Sequence, residues 1–145
     1  AQFVAIGWKL GREDRTRLGV THPRVHLLGP RHDVPAWIKQ ANVLVMTSET
    51  EGCPNVVLEA VALGTPVIAP DVGDVARIFG AEASSRLVTL QDEADYARLV
   101  LAELAGGELR QRMSEALRSR VASEYSMEQM VSRTCDVWRD AAPLS

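Results

Sequence analysis

Short apolar runs that alternate with helical patterns constrain the fold of this chain more than any other feature. Five runs predict strands, at residues 3–7, 24–28, 42–47, 66–69 and 86–90. Helices are predicted between them, at residues 34–40, 54–63 and 74–79, while residues 11–19 form a polar helix or loop. Apolar strands of this length, each followed by a helix, are typical of a parallel sheet with helices on both faces. We therefore predict an α/β fold of three layers, in which the strand of residues 3–7 is buried.

The C-terminal third consists of helical patterns without strands. Helices are predicted at residues 92–105, 108–124 and 127–141. The second and third of these helices each have an apolar stripe at helical spacing. The stripes consist of Leu109, Met113, Leu117 and Val121 and of Met127, Met130, Val131, Cys135 and Trp138. We expect these extra helices, residues 92–141, to pack on the sheet within one domain, residues 1–145. Because the chain begins inside a strand, we also expect the domain to be truncated on its N-terminal side.

Composition excludes several classes of function. The chain has 145 residues, of which 46% are hydrophobic and 24% charged, and its net charge is −3. Acids and bases are interleaved, so there is neither a basic face for nucleic acid nor a polybasic membrane patch. No window approaches the roughly 18 uncharged residues of a transmembrane helix, and we expect no signal peptide, since the sequence opens on a predicted strand without a basic region. Two cysteines, Cys53 and Cys135, form neither a disulfide framework nor a zinc pattern, which favours the cytoplasm.

Residues 47–60 contain the most chemical information. They follow a predicted strand and open a predicted helix, and ligands of open α/β sheets bind at such strand ends. Gly52 permits a tight turn, and Pro54 suits the first helical position, where its missing N–H costs nothing. The amides of Asn55 and Val56 then remain free at the positive end of a helix. The sequence therefore predicts a phosphate-binding turn here.

Two carboxylates, Glu51 and Glu59, flank this turn. Glu59 lies four residues beyond Asn55, about 6 Å along the helix axis and on the same face. A carboxylate repels phosphate, but it accepts hydrogen bonds from hydroxyl groups and can hold a diol. Amides for phosphate and carboxylates for polyols together favour a ligand with a diphosphate between two polyols, which is the form of a sugar nucleotide.

The same residues resemble the E-x7-E donor-site signature of family 4 retaining glycosyltransferases. The resemblance depends on Glu51-Gly52-Cys53-Pro54, Glu59-Ala60, Ala62, Gly64, Pro66-Val67, Ala69 and Gly73. It extends to residues 3–7, 25–29 and 41–48 and to Tyr125-Ser126 before the last helix. It implies that the chain is the Rossmann-like, donor-binding half of a GT-B fold, and that the acceptor-binding N-terminal domain lies outside it.

The resemblance also implies a role for each matching residue. Glu59 would bind the ribose hydroxyls, and Glu51, the candidate catalytic residue, would contact the donor sugar. That sugar and the distal phosphate would meet the segment formed by Gly52, Cys53, Pro54, Asn55 and Val56. The nucleobase would lie against Gly29, Pro30 and Arg31. Family members typically need no metal, so neither a metal nor another cofactor is expected.

The function implied by the resemblance is transfer of a hexosyl group from an NDP-sugar, with retention of configuration, to a glycan, lipid or small-molecule acceptor. It suggests polysaccharide biosynthesis, in the cytoplasm or by peripheral association with the inner face of the membrane. The family's diphosphate-gripping Arg and Lys fall outside this chain. Asp74 and Arg77 stand where the family often has a second glycine and a later acid. We therefore expect the chain alone to be inactive and to bind its donor weakly.

Two alternatives share this fold and ligand, a non-catalytic sugar-nucleotide-binding module and a GT-B sugar-nucleotide epimerase. A third, a dinucleotide-binding oxidoreductase, needs G-x-G-x-x-G after the first strand. Residues 7–11 of this chain, Gly-Trp-Lys-Leu-Gly, do not fit that pattern.

Several single residues admit a functional and a structural interpretation. Cys53 is either a thiol whose pKa is lowered at a helix N-terminus or, as we expect, a small packing residue. We expect Glu49 to be solvated. The alternation of side chains along a strand argues against a metal site at His22, His26 and His32. Buried core positions or interdomain anchors are expected for Trp8, Trp37 and Trp138.

Overall fold

The structure, a computed structural model, describes residues 1–141 except for the side chains of Glu82, Leu109 and Arg110. It divides into two compact units, Ala1–Trp37 and the chain from Ile38 onward. The strand pairs in both units are parallel, and helices lie between strands along the chain. This is the α/β fold that the sequence predicts, while the single domain of residues 1–145 stays a prediction.

The first unit contains a two-stranded sheet. Strand β1, Phe3–Ala5, pairs with β2, Val25–Leu27, and a short 3-10 turn lies between them at Arg12–Asp14. The prediction that the first strand is buried is wrong, since Phe3 is 52% and Val4 43% exposed. The reason is that β1 pairs with β2 alone among the described strands, so its other edge has no described strand beside it. Helix α1, Val34–Gln40, follows and has the predicted bounds.

The second unit contains a three-stranded sheet in which β4 is central. Its strands are β3, Leu44–Val45, β4, Val67–Pro70, and β5, Leu87–Val88, in the order β3-β4-β5. All four residues of β4 are buried. By contrast, Val45 of β3 is 38% exposed. A central strand is paired along both edges, which explains why an apolar run suffices to bury β4 completely.

The described residues of the second unit form five helices after α1: α2, Asn55–Ala62, α3, Val75–Phe79, α4, Glu93–Ala105, α5, Glu108–Glu124, and α6, Met127–Ala141. Helix α4 covers one face of the sheet, where Ile68, Val88 and Leu99 form a buried cluster. Val67 and Ala69 point to the opposite face because side chains alternate along a strand. Both are fully buried. Helix α2 also contacts β4, and α5 packs on α2 and α3.

Local sequence sets the ends of these helices. The side chain of Asp92 accepts a hydrogen bond from the amide of Asp95 at 3.0 Å and so caps the start of α4. Helix α2 is followed by Gly64, whose φ of +79° suits a residue without a side chain. The amide of Gln129 donates to the Ser126 hydroxyl at 3.2 Å, which caps α6.

The two apolar stripes of the C-terminal helices differ in burial. On α5, Leu117 and Val121 are buried at 2% and 6% exposure, and Met113 is half-buried. The side chain of Leu109 and the C-terminal residues 142–145 lie outside the described part of the chain. On α6, the stripe is mostly exposed, with Met127 at 67% and Trp138 at 71%.

Candidate functional site

The turn between β3 and α2 holds most of the predicted site. Gly52 and Cys53 are exposed there, while Pro54 is buried. The Pro54 carbonyl accepts from the amides of Val57, at 3.0 Å, and Leu58, at 3.4 Å, so it closes the first helical bonds. Its ψ of 105° is extended. Pro54 therefore caps α2 and precedes its first residue, Asn55. The sequence had predicted Pro54 at the first helical position, one step further into the helix.

Two backbone amides remain free at the start of α2. The N–H groups of Asn55 and Val56 donate to no backbone carbonyl of the described residues. They point from the positive end of a helix whose preceding turn, at Gly52 and Cys53, is open to solvent. This is the local arrangement that suits an anion such as phosphate.

The carboxylates of Glu51 and Glu59 flank the same turn. Glu51 is half-buried and Glu59 is exposed. In the described part of the chain, neither side chain has a hydrogen bond or an ion pair. Both carboxylates are therefore available to accept hydrogen bonds from hydroxyl groups of a ligand.

The backbone of this turn rests directly on Gly73. A Cβ atom at Gly73 would lie 2.2 Å from the carbonyl oxygen of Gly52 and 2.5 Å from that of Glu51. Gly73 also has a φ of +55°, and the next amide, of Asp74, donates to the Gly52 carbonyl at 2.8 Å. The sequence placed Gly73 only within the family resemblance and did not predict this support. The available signal was a glycine three residues after the end of β4.

Cys53 fits neither interpretation made from the sequence. Partial burial and the nearby Asp74 carboxylate raise the pKa of its thiol, and Arg77 offsets part of the rise. The thiol is thus protonated at neutral pH, the opposite of a cysteine activated by a helix N-terminus. Although the thiol is partly desolvated, the residue as a whole is exposed, so it is not a packing residue either.

Gly29, Pro30 and Arg31 lie in the first unit, after β2. Gly29 is buried with a φ of +69°, and its amide donates to the Leu10 carbonyl at 2.8 Å. Arg31 pairs with Asp33 through two hydrogen bonds, at 2.6 and 2.7 Å, and lies over the Trp37 ring at 5.4 Å. This pairing raises the pKa of Arg31 and lowers that of Asp33. The guanidinium is thereby held beside an exposed aromatic ring.

The histidines have local partners. His26 Nε2 lies 2.8 Å from Gln2 Oε1, and His22 Nδ1 accepts from the Arg24 amide. No group of three His, Cys, Asp or Glu side chains among the described residues is placed to hold a metal ion. None of the described helices combines the length and apolarity needed to cross a bilayer.

The three tryptophans are not core residues. Trp8 is 80%, Trp37 37% and Trp138 71% exposed. Core positions, one of the two predictions made for these residues, are therefore wrong, while the other, interdomain anchors, stays a prediction. The Trp37 ring, the least exposed of the three, is partly covered by Arg31.

Known proteins resemble this chain over most of its length. Residues 1–105 match the family model described as glycosyl transferases group 1. D-inositol 3-phosphate glycosyltransferase of Streptomyces coelicolor is 35% identical over 105 residues, 72% of this chain and 23% of that protein. The curated relatives are matched over 13% to 31% of their own length, so this chain spans about a quarter of such proteins.

Solved structures share the fold. Sucrose-phosphate synthase from Thermosynechococcus elongatus superposes with a TM-score of 0.80 and 28% identity, covering 96% of this chain and 38% of that one. The Anabaena protein HepE, solved in complex with UDP, superposes with a TM-score of 0.81 and 18% identity, covering 97% and 41%. These likenesses confirm the predicted Rossmann-like half of a GT-B fold. With well over half of its residues matched by the family model, the chain belongs to the glycosyl transferases group 1.

Proposed function

We propose that this chain is the donor-binding part of a retaining, family 4 type glycosyltransferase. It binds an NDP-sugar and presents the hexosyl group for transfer to a glycan, lipid or small-molecule acceptor. The acceptor is held by a further, N-terminal domain of the full-length enzyme. The reaction needs no metal or other cofactor, and nucleic acid is not a partner. The enzyme works in the cytoplasm or peripherally at the inner face of the membrane, in polysaccharide biosynthesis.

One observation carries this proposal, which is the composition of the β3–α2 turn. Two free amides, of Asn55 and Val56, adjoin two carboxylates, Glu51 and Glu59, that have no partner among the described residues. Free amides suit the diphosphate, and free carboxylates suit the polyols at its two ends. HepE, a structural neighbour, was solved in complex with UDP and with UDP-glucose, which supports a nucleotide-sugar ligand.

Each part of the turn then has a task in the reaction. Glu59 holds the ribose hydroxyls, and Glu51, as the catalytic residue, orients the donor sugar. Gly52, Cys53 and Pro54 shape the backbone around the sugar and the distal phosphate. When the bond between the anomeric carbon and the phosphate oxygen breaks, negative charge grows on the departing diphosphate. The α2 amides stabilise that charge, and donors fixed in advance are effective because they need no reorganisation.

In this proposal the nucleobase contacts come from Gly29, Pro30 and Arg31, as the family resemblance implies. Pro30 offers its backbone carbonyl, Gly29 is fixed by backbone bonds to Leu10 and Gly7, and Arg31 is held beside the Trp37 ring by Asp33. A planar guanidinium next to an aromatic ring is suited to a flat base. We expect the chain alone to bind its donor weakly and to be inactive.

An amide NMR titration with UDP, GDP, ADP and NAD tests the proposal. One nucleoside diphosphate is expected to shift the amides of residues 52–57, and Glu59→Gln is expected to weaken that effect. Removing one charge-assisted hydrogen bond costs about 1.5–3 kcal/mol, or roughly tenfold or more in affinity. Glu108→Gln, the same change at an exposed carboxylate at the start of α5, is the matched control.

Two results would contradict the proposal. In one, no nucleotide shifts residues 52–57 even after the natural upstream sequence is restored. In the other, NAD shifts the amide resonances of residues 52–57 as strongly as every nucleoside diphosphate does, and Glu59→Gln weakens the nucleotide response no more than Glu108→Gln does. Turnover of an NDP-sugar to its epimer by the full-length protein, without any acceptor, would favour the epimerase alternative instead.

A further inference from the structure

A cavity lies beyond the carboxyl ends of β3 and β5, apart from the β3–α2 turn. It has a volume of about 230 Å³. Its lining consists of Thr47, Glu49, Leu90, Gln91, Glu93 and Tyr96. The segment of residues 47–49 continues directly into the β3–α2 turn, so the cavity and the proposed donor turn are built on one stretch of chain.

Two long-range hydrogen bonds shape this cavity. The Tyr96 hydroxyl donates to the Met46 carbonyl at 3.0 Å and so fixes the position of its ring at the end of β3. The Gln91 side-chain amide donates to Glu49 Oε1 at 3.2 Å. Glu49 is exposed, as predicted, but it is also oriented by a residue 42 positions away in sequence. Both bonds join the segment after β3 to the region around the start of α4.

The lining restricts the kind of ligand that fits. Glu49 and Glu93 bring negative charge, and no Lys or Arg lines the cavity, which disfavours phosphates and carboxylates. No three metal-ligating side chains of the described residues converge, which disfavours a metal ion. The remaining features are carboxylate and hydroxyl groups that accept and donate hydrogen bonds, beside the apolar surfaces of Leu90 and the Tyr96 ring.

An uncharged sugar ring has the matching chemistry. Its hydroxyl groups donate to carboxylates, often in pairs, and its C–H face packs on an aromatic ring. Pockets for drug-sized ligands have volumes of about 300–1,000 Å³. The present cavity is smaller than that range, so it suits a single ring rather than a whole nucleotide.

We propose that this cavity is a subsite for one neutral sugar unit. This inference rests on the proposed function, because a transferase that binds its donor at the adjacent turn also binds an acceptor. Glu49 and Glu93 accept hydrogen bonds from the sugar hydroxyls, and the Tyr96 ring packs against the sugar face. The unit is either the hexosyl group of the donor, whose other side meets Glu51, or one sugar of an acceptor that is otherwise held by the N-terminal domain, and both have this chemistry.

Amide NMR of the 145-residue chain tests the subsite with methyl α-glucoside, methyl α-mannoside, N-acetylglucosamine, UDP and UDP-glucose. At least one neutral sugar, free or within UDP-glucose, is expected to shift residues 47–49 and 90–96. A shift by UDP-glucose but not by UDP assigns the donor sugar. A shift by a free methyl glycoside or by N-acetylglucosamine in the presence of UDP assigns an acceptor sugar.

Glu49→Gln is expected to weaken the shift about tenfold, as the loss of a charged hydrogen-bond acceptor predicts. Glu93→Gln is a second variant that leaves the Gln91–Glu49 bond in place. The control is Glu115→Gln on α5, because Glu115 also accepts from a glutamine, Gln111, at 3.0 Å. Unchanged amides in the core strands show that each variant is folded.

The subsite is overturned if no sugar shifts residues 47–49 and 90–96 at high millimolar concentration. It is equally overturned if Glu49→Gln and Glu93→Gln weaken the sugar-induced shift no more than the control Glu115→Gln does. A shift of equal size in residues 111–118, the segment of α5 around the control position, would also overturn it. The donor proposal has a separate readout, the UDP-induced shift of residues 52–57. Failure of one is therefore distinguishable from failure of the other.

Discussion

Strands β1 and β4 are both apolar in sequence, yet the structure gives them opposite surroundings. In β4, Val67 and Ile68 are fully buried, whereas in β1, Phe3 is 52% and Val4 43% exposed. β4 is hydrogen-bonded to strands on both edges and covered on both faces, while β1 pairs with β2 alone in the described part of the chain. An apolar run thus predicts a strand, but the number of neighbouring elements decides how much of it is buried.

The largest expected effect contrasts two ion pairs in the two units. Arg86 and Glu103 are 2.7 Å apart in the second unit, with side chains only 2% and 10% exposed. Removing one partner of such a pair leaves a buried charge, so Glu103→Ala is expected to cost about 3–5 kcal/mol of unfolding free energy. Denaturant unfolding measures this loss.

The matched variant is Asp33→Ala, which removes one partner of the exposed pair Arg31–Asp33 in the first unit. Its loss is expected to be far smaller because water solvates the remaining guanidinium. Equal losses of unfolding free energy for Asp33→Ala and Glu103→Ala would show that burial does not distinguish the two ion pairs.

The next effect contrasts apolar side chains of the two strands. Ile68→Ala removes a fully buried side chain from the cluster with Val88 and Leu99 and is expected to cost about 2–5 kcal/mol. Val4→Ala alters an exposed position of β1, where substitutions stay within about 0.5 kcal/mol. Thermal or denaturant unfolding gives both values, and a large loss for Val4→Ala would mean that β1 is covered in solution.

The last contrast, which includes the small effect expected at Gly19, concerns two glycines with positive φ, Gly73 at +55° and Gly19 at +64°. A Cβ atom at Gly73 would collide with the Gly52 carbonyl, whereas one at Gly19 would have no atom of a non-adjacent described residue within 4 Å. Gly19→Ala therefore meets only backbone strain, about 1–2 kcal/mol. Gly73→Ala must in addition displace the backbone of Glu51 and Gly52.

Amide NMR separates the two glycine variants. Gly73→Ala is expected to shift residues 51–56 and to abolish their response to nucleotide, while Gly19→Ala leaves both unchanged. An unaltered β3–α2 turn in Gly73→Ala would refute the support that we assign to Gly73.

Much of the fold was predictable because it depends on local signals. Helices α5 and α6 have the bounds that the spacing of apolar residues predicts. Four of the five described strands lie within the predicted runs, and β4 ends at Pro70, one residue beyond its run. The presence of the β3–α2 turn was also predictable, because a glycine and a proline lie between an apolar strand and an apolar helix, but its support by Gly73 was not. The roles of Glu51 and Glu59 stay predictions.

What the sequence did not predict depends on contacts between distant residues. The exposure of Phe3 depends on which strands adjoin β1, and the raised pKa of Cys53 depends on its partial burial and on Asp74. The bond from Gln91 to Glu49 joins residues 42 positions apart. No local pattern encodes such pairs, because each residue alone has an ordinary structural interpretation.

The close contact beneath the turn limits how the site can change during evolution. Any side chain at position 73 would collide with the carbonyl groups of Glu51 and Gly52, so that position is closed to variation while the turn keeps its form. Cys53 and Asn55 are exposed beside it, and substitutions there leave the backbone in place. New ligand preferences can therefore arise at these two positions by single substitutions, on a backbone whose form is fixed by a residue that never needs to touch the ligand.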